Sequence, residues 1–381
     1  MADNRFVVTA KQRGACFCPV SASVLMPVDK VAGKVLVDER SGAPVPTQAE
    51  AFAGGTRIHW MLDSMAPRQQ RRFRLTDGRA ASGPGVEIAE VEGKLQVKIG
   101  GEVFTNYHYR NITRPVLYPV IGPFGHGVTR AFPMEDLPDD HKDHPHHRSI
   151  WVAWGEVNGS DNWSEQPGHG TLAHRAFEAR SGGCVCGIIA TRNDWLNKDG
   201  RKLMEDRLVY RFYNLPASMR LIDMEITLTA TEGDVKFGDT KEGGICSVRV
   251  AAPIEAARGG RIENAFGGVN EDETWGKRAQ WCDYSGVVGG HRVGICVFDH
   301  PTNFRHPTYW HVRDYGLMTA NPFGLSHFHN SKEFDGSHVL PAGKSLAFHY
   351  AIFVHAGDAT EGGVRNRYLD WVYPPQTNVA E

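Results

Sequence analysis

The chain has 381 residues, 41% of them hydrophobic, which is enough apolar surface for one large core or for a small unit packed on a larger one. Its 42 Lys and Arg residues nearly balance 44 Asp and Glu residues, so there is no positive field of the kind that binds nucleic acid or an acidic membrane. Neither is expected as a partner.

Targeting and redox signals point to the cytoplasm. The first residues include no apolar stretch typical of a signal peptide, and no run approaches the roughly 18 apolar residues of a membrane span. The seven cysteines are an odd number, and two close pairs are separated by a single residue, a spacing that fits neither a zinc knuckle nor a disulfide framework. We expect reduced thiols in a cytoplasmic protein, and the sequence leaves open whether it forms a homo-oligomer.

Strand patterns dominate the chain. Residues 1–80 are strand-rich and predict a small N-terminal β unit, with a turn at 41–44. Alternation at 95–99 and 222–229 has the period of half-buried strands, whereas helical spacing is clear only near 364–372. With 42 Gly and 21 Pro between short strands, the pattern predicts an all-β fold, in which residues 85–381 form a large antiparallel β-sandwich with few short helices and carry the site.

Histidine is concentrated in one segment, since four of the seven residues from His141 to His147 are histidines. On an extended strand His144 and His146 would share a face, and with His147 they are candidate ligands of a divalent metal ion. In a competing interpretation, histidine and arginine bind sugar hydroxyls while Trp151 or Trp154 stacks on a pyranose ring. A solvated loop is the third interpretation.

Three later segments carry further candidates. Lys241 and Glu242 lie in a glycine-rich turn, where Glu242 is either a general acid or base or simply solvated. If residues 281–283 form an extended strand, Trp281 and Asp283 share a face. An aromatic ring beside a carboxylate suits sugar binding. Alternation from Tyr309 to Tyr315 places hydrogen-bonding side chains on one side of a strand, although ion pairs at a sheet edge would give the same pattern.

The candidate site residues therefore come from distant parts of the chain. The catalytic candidates are Glu242, His311, Asp283 and His147. The substrate-binding candidates are Arg148, Trp154, Lys241, Trp281, Arg313, Tyr315 and Asn321.

Together these segments resemble the PmoA-like family of soluble proteins over roughly residues 85–360. The resemblance implies a β-sandwich (supersandwich) of the galactose-mutarotase-like kind and a frequent association with sugar-processing proteins, but it carries over no catalytic assignment. Ser149 departs from the glycine expected there. The motifs are 122–125, Asp143–Arg148, Val157–Gly159, Thr240–Gly243, Trp281–Gly286, His306–Gly316 and Asn321–Gly324.

The leading functional hypothesis is an enzyme that acts on a small carbohydrate, a glycoside or an oxidised (keto) sugar, and cleaves a C–O bond by hydrolysis or by elimination and hydration. The alternatives are an aldose mutarotase or epimerase, a non-catalytic sugar-binding protein and an iron oxygenase. Geometry separates them. Opposed carboxylates, with Glu242 and Asp283 as the best pair, favour hydrolysis; a metal held by histidines favours elimination or oxygenation; and one His facing one Glu favours mutarotation.

Overall fold

The computed structural model describes residues 5–52, 54–78 and 85–380. Strands make up 51% and helices 8% of the chain, which confirms the predicted all-β class. In chain order the strands are β1 (Arg5–Thr9), β2 (Ala15–Val24), β3 (Lys34–Asp38), β4 (Pro44–Val45), β5 (Thr47–Phe52), β6 (Gly55–Met65), β7 (Gln70–Asp77), β8 (Val86–Val91), β9 (Lys94–Ile99), β10 (Glu102–His108), β11 (Val116–Val120), β12 (Ile150–Trp154), β13 (Thr171–Ser181), β14 (Cys186–Leu196), β15 (Lys202–Tyr213), β16 (Met219–Thr229), β17 (Val235–Phe237), β18 (Gly243–Arg249), β19 (Arg261–Asn264), β20 (Trp281–Val288), β21 (His291–Asp299), β22 (Tyr309–Arg313), β23 (Leu317–Asn321), β24 (His338–Leu340), β25 (Ser345–Ala356) and β26 (Gln376–Val379).

The helices are short. Three 3-10 turns lie at Pro123–Gly125, Ala252–Ile254 and Ala256–Arg258. The α-helices are α1 (Val28–Val31), α2 (Asn270–Thr274), α3 (Leu325–Phe328) and α4 (Val364–Val372), the last at the segment whose spacing predicted a helix. No helix in the described part of the chain is long and apolar enough to cross a membrane.

Two eight-stranded antiparallel sheets form the large sandwich. Sheet I has the order β22-β23-β18-β12-β11-β10-β9-β8, and sheet II has the order β13-β14-β15-β16-β25-β21-β20-β19. Their facing sides share one apolar core, to which Trp154 and Ile245 contribute from sheet I and Ile222 and Ile352 from sheet II. The predicted alternation is confirmed at 222–228, where each even-numbered apolar residue is fully buried.

The N-terminal strands build two smaller sheets, of order β26-β1-β7-β3-β4 and β2-β6-β5. Their own core surrounds Trp60. The predicted boundary near 80–85 falls mostly on residues 79–84, which lie outside the described residues. The division into 1–80 and 85–381 stays a prediction with one correction: β26 pairs with β1 and so adds to the N-terminal sheet. Its short polar sequence, Gln-Thr-Asn-Val, has no apolar alternation that would reveal this pairing.

The outer side of sheet I carries a small apolar cluster, which includes Trp151 and Trp163, beside a row of polar side chains. On β22, Trp310 and Val312 enter the core, whereas Tyr309, His311 and Arg313 alternate onto the other face. This confirms the predicted orientation of the strand. Loops from 126–149 and 155–170 adjoin this face, and they bring the histidine-rich segment next to it.

Candidate functional site

Two glycines fix where the Lys241-Glu242 turn enters β18. A side chain at Gly243 would collide with the indole of Trp154, and one at Gly244 would collide with the hydroxyl of Thr319. The glycines are therefore required by close packing, and they hold Glu242 at the point where the strand begins, beside β22 and β23.

His311 is a buried, neutral imidazole with a defined tautomer. Its Nδ1 lies 2.7 Å from the carbonyl oxygen of Lys241. Because a carbonyl oxygen only accepts, Nδ1 carries the proton and Nε2 keeps its lone pair. Burial lowers the pKa of His311 to about 4, although the nearby Glu242 carboxylate opposes this shift. At neutral pH the side chain is therefore a proton acceptor.

Glu242 supplies the negative charge of the site. Its side chain is about half exposed and forms an ion pair with Lys241. Burial would raise the pKa of Glu242, but the hydrogen bond and charge of Lys241 outweigh burial and lower it. The Glu242 charge favours the protonated forms of His311, His146 and Tyr315, so these four side chains are coupled electrostatically, and we call them the polar cluster.

The histidine-rich segment contributes a stack of rings. His144 is parallel to His147 at 4.8 Å between ring centroids, and His146 meets His147 edge-on at 4.4 Å. His147 is 1% exposed, and its Nδ1 accepts a hydrogen bond from Arg249 at 3.3 Å. Burial lowers the pKa of His147 well below its usual value and that of His146 to about 4. Both rings are neutral at pH 7.

These histidines do not fit a divalent metal ion. Two fully buried guanidinium groups, those of Arg130 and Arg249, lie beside them and oppose a cation. Across the described residues, the three side chains whose ligand atoms converge within 4.8 Å are instead Asp223, Glu225 and His349, which lie in sheet II. The geometry therefore gives no support to the predicted metal at His144, His146 and His147.

Arg130 organises the whole segment, a role that the sequence analysis did not predict. Its guanidinium donates hydrogen bonds to the carbonyl oxygens of His141, Asp143, His144 and His147. One carboxylate oxygen of Asp143 lies 2.7 Å from the Arg130 guanidinium and 3.2 Å from that of Arg249. It therefore bridges the two arginines. The one signal that could have shown this role is a lone arginine in the otherwise uncharged run 127–134.

The ring of Tyr315 is held in place by two neighbours, His144 and Arg249. Its ring stacks on His144 at 5.4 Å with an interplanar angle of 9°, and the Arg249 guanidinium lies 4.6 Å from the ring centroid. Burial raises the pKa of Tyr315 to about 12. Within the described residues the hydroxyl makes no hydrogen bond, so at neutral pH it is a protonated and available donor.

Several predicted substrate-binding residues have structural partners. Arg148 forms two hydrogen bonds with Glu165, at 2.9 and 2.7 Å, beside His146. Arg313 pairs with Glu271 at 3.1 Å and also lies near Tyr315.

Asn321 is a positioning residue rather than a ligand-facing one. Its amide donates to the carbonyl oxygens of Thr240 and Lys241, at 3.1 and 3.2 Å, and it thereby holds the turn that carries Glu242. Its own oxygen accepts from the backbone N–H groups of Phe323 and Gly324.

The predicted stacking platforms are wrong. Trp154 and Trp151 are both fully buried, so neither presents a face to a sugar. Trp154 packs on Phe323 and donates from its indole to the carbonyl of Gly238. Trp151 lies beneath His147. The alternation of β12 sends these two rings to opposite sides of sheet I, but both sides are covered.

Trp281 and Asp283 are also not where the sequence predicted. They share a face of β20, as expected, but β20 belongs to sheet II. Trp281 packs in an apolar cluster with residues of α4, and the Asp283 carboxylate is 1% exposed and lies 2.9 Å from His355. Asp283 therefore does not face Glu242, because alternation fixes the face of a strand but not the sheet to which it belongs.

Comparison with known proteins identifies the family. A family model described as "Family of unknown function (DUF6807)" matches residues 94–368, well over half of the chain. The chain belongs to the DUF6807 family. The matched range of this DUF6807 chain includes every candidate site residue. The resemblance to the PmoA-like family stays a prediction.

Other comparisons add little to this. No curated protein is significantly similar to the DUF6807 chain in sequence. Among solved structures, the chain is similar to a protein in the glycosyl hydrolase family 38 from Enterococcus faecalis, with a TM-score of 0.46 and 10% identity. That match covers 100% of this chain and 48% of the other, so the chain spans about half the length of that protein. So distant a likeness says nothing about activity.

Proposed function

We propose that the chain is a carbohydrate-active enzyme that transfers protons on a sugar, in the manner of an aldose mutarotase or epimerase, through His311 and Glu242. One observation carries the proposal: His311 is held neutral, with its Nε2 lone pair available, in the electrostatic field of an ionised Glu242. A neutral imidazole is an effective general base when a neighbouring carboxylate stabilises the imidazolium that forms.

The residues divide into three roles in this scheme. His311 Nε2 accepts a proton from a sugar hydroxyl or from a carbon beside a carbonyl. Glu242 stabilises the positive charge that develops on the ring, as its opposing effect on the pKa of His311 indicates. The Tyr315 hydroxyl, which is protonated and makes no hydrogen bond within the described residues, donates a proton to the ring oxygen or to a departing oxygen.

A sugar suits the exposed rim of the cluster. The accessible groups there are the side chains of Lys241, Glu242, His144 and Arg313, which offer both donors and acceptors to a ligand rich in hydroxyl groups. Hydrolysis by two opposed carboxylates has little support, because the carboxylate proposed to oppose Glu242 is buried in sheet II.

Elimination from a keto sugar is the second candidate function. It is favoured by the Tyr315 hydroxyl, which is a proton donor in the same cluster as the basic His311. In that reaction His311 removes the proton next to the ketone, and Tyr315 protonates the oxygen of the bond that breaks.

The experiment that tests the proposal is anomeric exchange followed by NMR with D-glucose, D-galactose and their uronic acids, together with product analysis on 3-keto glycosides. We expect the wild type to accelerate one of these reactions and His311→Asn to abolish the acceleration. His169→Asn is the matched control, because His169 is only partly buried and its imidazole bonds within its own turn. Equal rates for wild type and His311→Asn on every substrate would refute the proposed role.

A further inference from the structure

A cavity lies between the N-terminal unit and the outer face of sheet II. Its volume is about 390 Å³, which is within the range of small-molecule sites. Strands β2, β5 and β6 form one wall, strands β14, β15, β16 and β25 form the opposite wall, and the end of α4 closes one side. None of its lining residues belongs to the cluster around His311, so the cavity is independent of the proposed function.

The sheet II wall carries a polar group whose charged side chains are already paired with one another. Arg211 donates to Glu225 at 2.6 Å and lies 3.4 Å from Asp223. The other oxygen of Asp223 accepts from His349 and from the indole of Trp371. Although three ligand atoms converge here, the Arg211 guanidinium contacts both carboxylates, offsets one of their two charges and opposes a metal ion.

The acidic groups of the facing wall also have partners. Glu50 lies 2.9 Å from His59, the guanidinium of Arg57 lines the same cavity, and at the α4 end Asp370 pairs with Arg367 at 2.9 Å. A charged ligand would therefore meet few side chains of opposite charge that are free of an ion pair, and its binding would break ion pairs that already exist.

These paired groups still have hydrogen-bonding capacity. A carboxylate offers about four acceptor sites and a guanidinium five donors, of which the wall pairs use only some. Apolar side chains, among them Phe17, Leu221 and Phe353, lie between the polar groups. Closely spaced donors and acceptors that alternate with apolar patches match a neutral molecule with many hydroxyl groups and exposed C–H faces.

We propose that this cavity is a second binding site, for a neutral polyhydroxylated ligand of the size of a mono- or disaccharide. The ligand bridges the N-terminal unit and the sandwich through Glu50 and His59 on one side and Arg211, Glu225 and His349 on the other.

The chain offers a matched pair of variants for the test. Ser21 and Ser23 are both exposed and lie on the same face of β2, but only Ser21 lines the cavity. Ser21→Trp should fill the cavity, whereas Ser23→Trp adds the same bulk outside it. Exposure of both serines makes either variant compatible with folding, which thermal unfolding checks.

Isothermal titration of the full chain with D-glucose, D-galactose, sucrose and maltose is the measurement, with D-glucuronate and MnCl₂ as charged probes. We expect at least one neutral sugar to bind, at least tenfold more weakly to Ser21→Trp, and with wild-type affinity to Ser23→Trp. The variants Glu242→Gln and His311→Asn should retain this binding even if they lose activity, which separates the two sites. Absence of binding by the neutral sugars, equal weakening by both tryptophans, or preferential binding of Mn²⁺ or glucuronate would overturn the proposal.

Discussion

His311 and Lys241 are joined by a hydrogen bond from imidazole Nδ1 to a main-chain carbonyl oxygen at 2.7 Å. The same carbonyl also accepts a hydrogen bond from the amide of Asn321 at 3.2 Å. One backbone oxygen thus fixes the tautomer of the proposed base, and it links that base to the turn that carries Glu242.

The pH dependence of activity follows from the state of His311. Because burial lowers its pKa to about 4, the imidazole is neutral across the neutral range and gains a proton only in acid. We expect kcat/KM to be flat between about pH 6 and pH 8 and to fall as the pH drops through about 4, where the base becomes protonated. A profile with an acid limb near the ordinary histidine value of about 6.5 would contradict this.

Removal of the carboxylate at position 242 should affect both the rate and this profile. In Glu242→Gln the imidazolium of His311 loses its stabilising charge, so we expect kcat to fall by roughly 100-fold or more. The acid limb should also move to lower pH, because the opposing charge no longer supports protonation of His311. Glu333→Gln, at an exposed position, is the control and should change neither quantity. A fall in rate with an unmoved acid limb would mean that Glu242 acts by binding alone.

The buried Asp283–His355 pair should matter for stability and not for the reaction. His355→Ala leaves the carboxylate without its partner in the apolar interior, and we expect a loss of about 3–5 kcal/mol in the free energy of unfolding. Interaction with Asp283 raises the pKa of His355 against the effect of burial, so its contribution is present below the unfolded-state pKa of about 6.5 and is lost as the pH rises through the higher folded value. Urea titrations at several pH values measure this, and unchanged kcat in the folded fraction is expected.

His144 and His147 offer a contrast between neighbouring histidines. His147 is buried against Trp151, so His147→Ala should leave a cavity and cost about 2–5 kcal/mol. The His144 side chain is 43% exposed, so His144→Ala should cost about 1 kcal/mol or less while it releases the ring of Tyr315 and raises KM. Equal unfolding midpoints for the two variants would refute this account of their packing.

The sequence predicted local orientation better than location. Alternation placed His311 and Arg313 correctly on one face of β22, because a strand has a fixed period of two. The same rule placed Trp281 and Asp283 together but could not show that their strand joins the other sheet. Non-local contacts are the reason: the partner of Asp283 is 72 residues away in sequence, and no local pattern marks it.

The path of the loop around Arg130 is set by main-chain hydrogen bonds and not by the side chains of the loop. Four carbonyl oxygens point inward to one guanidinium, so several side chains of the loop are left to point elsewhere. Replacement of the exposed His144 therefore alters the chemistry at the rim while the path of the loop persists, because main-chain oxygens hold that path. Replacement of Arg130, in contrast, would remove the donor that holds all four carbonyl oxygens.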